Sequence, residues 1–300
     1  MARKVEVGTQ DVLTIQNKTI CAVDLTSVVL GASNKHGATD FKKAHLRVSL
    51  TRGGHTTTIV AGNFWALAKA AYFGDASWDF DSAPTSTTSH VVLVAPVTGV
   101  GGQYIVPLQI PLGGCLCLTG SDRLDIEVDA NWASTDTSAN SYTYVEAVEG
   151  TGVEYVTPQT RVVTLTQGDS DWSKSLGNNV TGIWFVSAKD SYAQETSANQ
   201  VISSASLKSD KMSYTRSHTS LVGDRAQQFE ANFHRGQCFR LAYEPKGLDS
   251  TQLDLIMNGT NVGAGNTFLV VQKYLVNRKQ VAKARGIARA QTAKLARKIG

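Results

Sequence analysis

Short runs of apolar, β-branched and aromatic residues recur along most of the chain, and Gly, Asn, Asp, Ser or Pro bounds most of them. Residues of the first kind favour extended strands, and the bounding residues favour turns. The runs do not alternate with long helical segments, as the strands of a parallel α/β sheet would. The pattern therefore predicts an all-β protein of the sandwich type. The runs are VLTIQNKTICAVDL, AHLRVSLTRGG, HVVLVAPV, QYIVPLQIPL, RLDIEVDANW, SYTYVEAV, RVVTLTQ, TGIWFVSA, CFRLAYEP, LDLIMNG and FLVVQKYLV.

Three short segments between these runs favour helix. NFWALAKAAYFG (63–74) is rich in Ala, with Asn63 placed as its N-cap and Gly74 placed to end it. SLVGDRAQQFEANF (220–233) has a weaker helical pattern because a glycine interrupts it. In LDSTQLDL, Asp249 or Ser250 is placed to cap a single helical turn. Short helices inserted between the strands of a sandwich would fit all three.

The chain divides into two strand-rich parts and a terminal segment. VEGTGVEYVTPQT supplies two glycines and a proline between halves of similar length, so we predict domains over 1–152 and 153–277 and a tail over 278–300. RLDIEV (123–128) and QLDLIM (252–257) share a Leu-Asp step late in each half. So short a similarity leaves open whether the two halves are a structural duplication.

The tail, RKQVAKARGIARAQTAKLARKIG, carries eight of the 29 basic residues and none of the 25 acidic ones. Residues 1–277 therefore hold 21 basic and 25 acidic residues, so an acidic body ends in a cationic segment. Such a segment suits a phosphate-rich surface better than a uniformly basic protein would. The eight cations are the predicted contact residues: Arg278, Lys279, Lys283, Arg285, Arg289, Lys294, Arg297 and Lys298.

On a helical wheel six residues of the tail form one narrow, largely apolar strip, spanning about 80°. The strip is narrow, and three of its six residues are Ala or Thr, so electrostatic attraction rather than insertion would dominate any binding to an anionic membrane. The same charges would bind nucleic-acid phosphates with strong salt dependence. The plain alternative is a solvated terminus that aids solubility. Residues of the strip are Val281, Ala284, Ala288, Thr292, Leu295 and Ile299.

Cysteines and terminal signals indicate a cytoplasmically made protein. Cys21, Cys115, Cys117 and Cys238 form no zinc-binding pattern, so we expect small buried thiols in a reduced protein. MARKVEVGTQDVL lacks the apolar stretch of a signal peptide, and no window approaches 18 uninterrupted apolar residues. We therefore expect a soluble protein without a signal peptide or a membrane-spanning segment.

The sequence offers no catalytic constellation. TGVGGQ (98–103) lacks the G-K-[ST] ending of a phosphate-binding loop and fits a hairpin turn better. Six scattered histidines form no metal-binding pair, and no G-x-S-x-G motif supplies a serine nucleophile. We expect no catalytic residue, no cofactor and no metal.

Carboxylates and tryptophans are the other candidate groups. Asp75, Asp79 and Asp81 surround Trp78, where an oxygen-ligand calcium site is an alternative to solvated surface. RLDIEVDANW alternates three acids along one strand, which fits the wet face of a sheet. Among the tryptophans, two are predicted in the core and one in a polar loop. The acids of the strand are Asp125, Glu127 and Asp129; the core tryptophans are Trp65 and Trp184, and the loop tryptophan is Trp172.

The organisation of the chain resembles the double jelly-roll major capsid proteins of tailless, membrane-containing icosahedral bacteriophages, the corticovirus, tectivirus and finnlakevirus groups. The residues that carry the resemblance are LRVSLTRGGHTTTIVAGNFWALAKAAYFG, the paired RLDIEV and QLDLIM strands, and FLVVQKYLV before the tail. The resemblance implies two tandem jelly rolls with short inserted helices and a basic C-terminal helix. It also implies homotrimers that tile an icosahedral virion shell over an internal membrane, beside minor capsid or vertex proteins. The tail would then face inward, towards anionic lipid head groups or packaged DNA.

The resemblance thus implies a non-enzymatic capsid protein located in the virion. Three other classes remain open. A carbohydrate-binding or glycoside-cleaving β-sandwich would use Asp75, Asp79, Asp81 and Trp78. A phage spike or tail-fibre protein would also be rich in strands, although no period of 20 to 50 residues is visible. A nucleic-acid-binding protein is disfavoured by the acidic body.

Overall fold

The computed structural model describes residues 2–29, 42–71, 92–94, 103–131, 141–151, 158–166, 170–187, 200–228, 237–262 and 267–275. Within these ranges the chain forms seventeen strands and two helices. The first half contains β1 (Ala2–Glu6), β2 (Gln10–Ile15), β3 (Thr19–Val29), β4 (His45–Arg52), β5 (His55–Asn63), α1 (Phe64–Ala71), β6 (Val92–Val94), β7 (Gln103–Cys117), β8 (Arg123–Asp129) and β9 (Tyr142–Glu149). The second half contains β10 (Pro158–Thr164), β11 (Asp171–Gly177), β12 (Val180–Ser187), β13 (Ile202–Lys208), β14 (Ser213–Ser217), α2 (His218–Gln228), β15 (Gln237–Leu248), β16 (Thr251–Met257) and β17 (Thr267–Tyr274).

The strands form three sheets with the orders β1-β9-β3-β7-β6, β15-β12-β17-β10-β5-β4-β8-β2 and β11-β16-β13-β14. The β5-β4-β8-β2 half of the long sheet faces the five-stranded sheet, and the β15-β12-β17-β10 half faces the four-stranded sheet. The long sheet is continuous because β5 and β10 pair in parallel, with Thr160 opposite Val60 and Arg161 opposite Ala61. Every other strand pair is antiparallel among the residues that the structure describes.

The two sandwiches have the same topology. When the short edge strand β6 is set aside, each sandwich has eight strands in chain order. In both, strands one, eight, three and six form one sheet, and strands two, seven, four and five form the other. In both, the helix lies between strands five and six. This arrangement is a jelly roll, so the predicted double jelly-roll fold is confirmed. RLDIEV and QLDLIM hold the same position, as the seventh strands β8 and β16. The predicted boundary between residues 152 and 153 falls outside the described ranges and stays a prediction.

Two hydrophobic cores fill the sandwiches. One is built from the first half and is extended by Trp184, Val186, Phe268 and Val270 of the second. The other lies between the two sheets of the second half. Strand β12 is consequently buried along its whole length, with one face in each core. This position explains its uninterrupted apolar run, since strands covered on both faces do not alternate with polar residues.

Helix α1 confirms the first helix prediction. The Oδ1 of Asn63 accepts a hydrogen bond from the Ala66 amide at 2.8 Å, which is the N-cap geometry. Seven of its eight residues are buried. It contacts β5 and β7 of its own sandwich and β12 and β17 of the other, so it fills the junction between the two sandwiches. Gly74 lies outside the described residues.

Two other helix predictions fare differently. The second helix begins two residues earlier than predicted, at His218, and residues 229–233 lie outside the described ranges. The prediction of a helical turn in LDSTQLDL is wrong. Asp249 and Ser250 form a two-residue corner between β15 and β16, with Ser250 at a φ of 51°, and the following residues are a strand. The alternation of apolar residues in TQLDLIM buries every second side chain, and this burial overrides the capping signal.

In each sandwich the strands end at two opposite ends. One end, which we name the base, carries short connections: 16–18, 53–54, 118–122, 178–179, 209–212 and 249–250. The connections at the opposite end, the top, include the longer segments 30–44, 130–141, 188–201 and 258–266. Hydrogen bonds join the base connections of the second sandwich, from the Asp249 amide to Asp210 at 2.8 Å and from the Ser250 amide to Asn178 at 2.8 Å.

Candidate functional site

The basic tail is joined to the body at the base. Strand β17 ends there at Tyr274, whose amide donates to the Asn179 carbonyl at 3.0 Å. The tail begins four residues later, at residue 278. The eight predicted contact residues themselves lie outside the described ranges, so their role stays a prediction. The described surface that can act together with them is the base around the end of β17.

Three cations lie together beside this strand end. Lys273 is half-buried, and its ammonium donates a hydrogen bond to the Leu176 carbonyl. Burial lowers the pKa of Lys273, and the nearby charges of Arg161 and Lys174 lower it further. Among the residues that the structure describes, no carboxylate lies within ion-pair distance of these three side chains. We name Arg161, Lys174 and Lys273 the base cation cluster; its field favours an anion.

Two other cations at the base are paired with carboxylates. Lys18 bonds to Glu149, and this hydrogen bond holds the pKa of the Glu149 carboxyl below its ordinary value. Arg52 contacts Asp122 at 3.0 Å and also donates to the Cys117 carbonyl. Pairs of this kind neutralise one another and fix the connections, whereas the base cation cluster keeps a net positive charge.

Three thiols also lie at the base. A Cβ atom added at Gly150 would lie 3.0 Å from the Cys21 sulfur and 3.4 Å from the Cys115 sulfur. Burial raises the pKa of the Cys115 thiol, and its neighbours Cys21 and Cys117 add to the effect. None of the four cysteines forms a disulfide bond; Cys238 is buried and the other three are half-buried. The expectation of four buried thiols is therefore wrong for three of them, because these lie where the sandwich opens at its base.

The structure places the acidic strand as the sequence predicts. Asp125, Glu127 and Asp129 lie half-exposed on one face of β8, while the residues between them are buried. Asp125 accepts hydrogen bonds from Thr14 at 2.8 Å and from Arg123 at 2.8 Å. No group of three or more potential metal ligands exists among the described residues. The other acidic candidates, Asp75, Asp79 and Asp81 with Trp78, lie outside the described ranges.

Two of the three tryptophan predictions hold. Trp65 and Trp184 are 1% and 5% exposed, as core residues should be. Trp172 was predicted in a polar loop, and this is wrong. It lies in the edge strand β11 and packs against the second core. Its polar neighbours in the strand point outward, and the alternation of a strand therefore turns the tryptophan inward.

An exposed aromatic surface lies on the first sandwich, on the outer face of β9 and β1. Tyr144 is 42% exposed and meets Tyr142 edge to face, with ring centroids 4.9 Å apart. The Lys4 ammonium lies 4.4 Å from the centroid of the Tyr142 ring. We name these three residues the β9 aromatic surface. Exposed, pre-ordered tyrosines with a neighbouring cation are typical of protein–protein interfaces.

Sequence reasoning missed both the base cation cluster and the β9 aromatic surface. Lys273 stands inside the apolar run FLVVQKYLV, and a lysine in such a run is the only sequence signal for a partly buried cation. Arg161 and Lys174 come from two other strands, so only the fold brings the three together.

Neither of the two described helices has the length and apolar composition of a membrane-spanning segment.

No protein-family model and no curated protein matches this sequence. Solved structures do match its fold. The major capsid protein of Sulfolobus turreted icosahedral virus superposes with a TM-score of 0.60 at 12% identity, over 91% of this chain and 93% of that chain. A second structure from this virus gives a TM-score of 0.55 at 13% identity, over 100% of this chain and 97% of that chain. The match to peptide N-glycanase F has a TM-score of only 0.24, which is too low to indicate a shared fold. At these identities the likeness establishes the fold: the chain has the double jelly-roll fold seen in an archaeal virus capsid protein.

Proposed function

We propose that the protein is a major capsid protein, a structural protein of a virion rather than an enzyme. The observation that carries the proposal is the pair of jelly rolls with one topology, joined through a shared eight-stranded sheet. Two similar sandwiches in one chain let a trimer present six similar units, which suits a closed shell of repeated contacts. The likeness to a viral major capsid protein over nine-tenths of both chains supports the same role.

The finer parts of the proposal extend the expectation from sequence. The subunits form homotrimers that tile an icosahedral shell, and the shell encloses an internal membrane. The structures that match come from an archaeal virus, so the fold supports a viral capsid protein in general. The bacteriophage groups named above stay part of the proposal as one source of the protein.

Assembly is tested by light scattering coupled to size exclusion on the purified chain. We expect a compact particle near 96.3 kDa, which is three times 32.1 kDa. A monomer at every concentration would contradict the trimer. An elongated trimer of the same mass would instead favour the spike or fibre alternative.

The basic tail is proposed to face the inside of the shell, where it binds anionic lipid head groups or packaged DNA. The tail joins the body at the base, beside the base cation cluster, so both positive regions can meet one anionic surface. Each cation near an anionic leaflet contributes on the order of 1 kcal/mol, and salt weakens the attraction.

Vesicle sedimentation tests the role of the tail. The full chain and a chain ending at residue 277 are compared on vesicles with and without phosphatidylserine, and on duplex DNA. We expect the full chain to bind the anionic vesicles or DNA more tightly, with an advantage that shrinks as salt rises. Equal binding by both chains would refute the role of the tail and leave the capsid proposal standing.

A further inference from the structure

Cys21 and Cys115 stand opposite each other on two paired strands at the base. Strands β3 and β7 run antiparallel, with Ile20 opposite Leu116, so the next step of this register places Cys21 opposite Cys115. The register shifts before Ala22, and the pair therefore stands at the edge of an irregularity. Residues directly opposite each other in antiparallel strands have Cβ atoms about 4.5–5.5 Å apart. A disulfide bond needs a Cβ separation of about 3.5–4.5 Å, which the closer pairs of this kind reach.

Both thiols lie on the outer face of the sheet. Their neighbours Ile20 and Leu116 are 0% and 1% exposed and belong to the first core. Side chains alternate between the two faces of a strand, so Cys21 and Cys115 point the other way, and both are half-buried. Cys117 follows on the same face of β7 and is also half-buried. A small reagent can therefore reach these thiols without unfolding the core.

Gly150, the residue after β9, shows that the two sulfur atoms share one space. A Cβ atom added there would lie 3.0 Å from the Cys21 Sγ and 3.4 Å from the Cys115 Sγ, so a single point lies close to both. The Gly150 amide donates a hydrogen bond to the Thr19 carbonyl at 3.0 Å, which fixes the glycine beside β3. Because glycine has no side chain, the volume next to it stays open to both thiols.

The surroundings of the two thiols agree with this placement. The Cys21 Sγ donates a hydrogen bond to the Val148 carbonyl at 3.5 Å. Burial raises the pKa of the Cys115 thiol, and Cys21 raises it further, which requires that the two groups be close. A raised pKa keeps Cys115 protonated near neutral pH, so its exchange reactions should be faster in mildly alkaline solution.

We propose that Cys21 and Cys115 are a disulfide-forming pair, joined within one chain when the folded protein meets a low-molecular-weight disulfide. The cytoplasm keeps thiols reduced, whereas oxidising media outside it allow disulfide bonds to persist. The bond joins β3 to β7 at the base of the first sandwich and closes the chain between residues 21 and 115 into one loop. Closing so long a loop restricts the unfolded chain and thereby stabilises the folded one. The inference rests on the fold and goes beyond the capsid role.

The reaction is thiol–disulfide exchange with glutathione disulfide as the oxidant. The thiolate of one cysteine attacks a sulfur atom of glutathione disulfide, which forms a mixed disulfide and releases one glutathione. The thiolate of the other cysteine then attacks the protein sulfur of the mixed disulfide and releases the second glutathione. Two protein S–H bonds are thus exchanged for one S–S bond, and glutathione disulfide is reduced to two molecules of glutathione.

Counting thiols on the full, reduced chain is the first test. The folded protein is treated with glutathione disulfide in mildly alkaline solution, and the thiols that remain are counted after denaturation. We expect the count to fall from four per chain to two. Mass spectrometry of the intact chain should show the loss of two hydrogen atoms and no bound glutathione. Peptide mapping should recover the peptide of Cys21 joined to the peptide that contains Cys115.

Serine variants identify the two partners. Cys21→Ser and Cys115→Ser should each keep all of their remaining thiols under the same treatment. Cys117→Ser is the matched control, because Cys117 is a half-buried thiol on the same face of β7, and this variant should still lose two thiols. Circular dichroism checks that the variants fold, and alanine replaces serine wherever a serine variant does not.

Thermal unfolding of the oxidised and reduced parent chains needs no variant. We expect oxidation to raise the midpoint temperature by at least about 4 °C, because the bond restricts the unfolded chain. Reduction with a phosphine should restore the original midpoint.

The outcomes decide the assignment of the bond. Loss of two thiols in the parent chain and in Cys117→Ser, but in neither of the other two variants, supports the proposal. A linkage that persists in Cys115→Ser and disappears in Cys117→Ser assigns the bond to Cys117 and overturns it. A lasting glutathione adduct, a bond between two chains, an unchanged thiol count, or a midpoint that stays the same or falls would each overturn it as well. Any of these failures leaves the capsid proposal standing, since light scattering tests that proposal separately.

Discussion

Gly62→Ala is expected to destabilise the protein where the two sandwiches join. Gly62 lies in β5 beside the parallel pair with β10. A Cβ atom at this position would lie 2.7 Å from the Val162 Cβ and closer still to its Cγ2. Overpacking of this degree costs about 1–3 kcal/mol. The lower backbone entropy of Ala in the unfolded chain offsets roughly 0.4–1 kcal/mol of that cost. We therefore expect a net loss of about 1–2 kcal/mol in the free energy of unfolding.

The assay is urea denaturation followed by circular dichroism, on Gly62→Ala, Val162→Ala and the double variant. Val162→Ala removes the closest atom, Cγ2, so the double variant should be more stable than the sum of the single effects by at least about 0.5 kcal/mol. Additive effects, or a Gly62→Ala chain as stable as the parent, would refute the close approach of β5 and β10 and with it the shared eight-stranded sheet.

Four further predictions concern the stability of the protein and the pKa of Lys273. Gly223→Ala should raise the free energy of unfolding, measured by urea denaturation, by up to about 1 kcal/mol, because Ala favours helix more than Gly does and Gly223 lies inside α2. The added Cβ would meet nothing within 4 Å, so a lower free energy of unfolding would contradict these open surroundings. Asn63→Ala should lower the free energy of unfolding by about 1 kcal/mol, with Asn63→Asp as the control that keeps the cap of α1. Burial raises the pKa of Tyr214 to about 12, so the unfolded chain loses the phenol proton at a lower pH than the folded chain does. The free energy of unfolding should therefore fall as pH rises from about 10 to about 12, and Tyr214→Phe should flatten this part of the plot of stability against pH. Arg161→Gln with Lys174→Gln should raise the pKa of Lys273, measured by NMR titration, because two like charges are removed; an unchanged pKa would refute the cluster.

Strand-forming runs with large apolar residues could be predicted from the sequence because burial of alternate side chains produces a visible pattern. VLTIQNKTICAVDL was predicted as one strand and forms two, β2 and β3, which Asn17 separates at a φ of 53°. The strands without such a run were missed. ISSASLK and SYTRS form β13 and β14, and their small polar residues give no periodic hydrophobic signal.

The duplication could not be settled from sequence, and the reason is physical. Counted from the irregularity in each third strand, Tyr144 opposite Thr26 and Phe268 opposite Val186 hold equivalent places, yet Tyr144 is exposed and Phe268 is buried in the junction. An exposed position favours polar atoms and a buried one favours apolar packing, so the two halves can share a backbone register without sharing residues. What survives is the Leu-Asp step of β8 and β16, where the leucine is buried and the aspartate bonds a neighbouring hydroxyl in both halves.

The candidate site was predictable only in part. The basic tail stands out in sequence because its charges are contiguous. The base cation cluster does not, because Lys273 in β17 lies far along the chain from Arg161 in β10 and Lys174 in β11. The same is true of the β9 aromatic surface, where Lys4 meets Tyr142 only through the pairing of β1 with β9.

Electron microscopy of the purified chain tests whether it assembles as a capsid-type trimer of two-barrel subunits. Negatively stained particles viewed down their axis should show three copies arranged as six similar densities around a ring. We expect this outline because each chain supplies two jelly rolls of one topology. Isolated two-lobed monomers at high concentration, or long rods with no six-part outline, would contradict it.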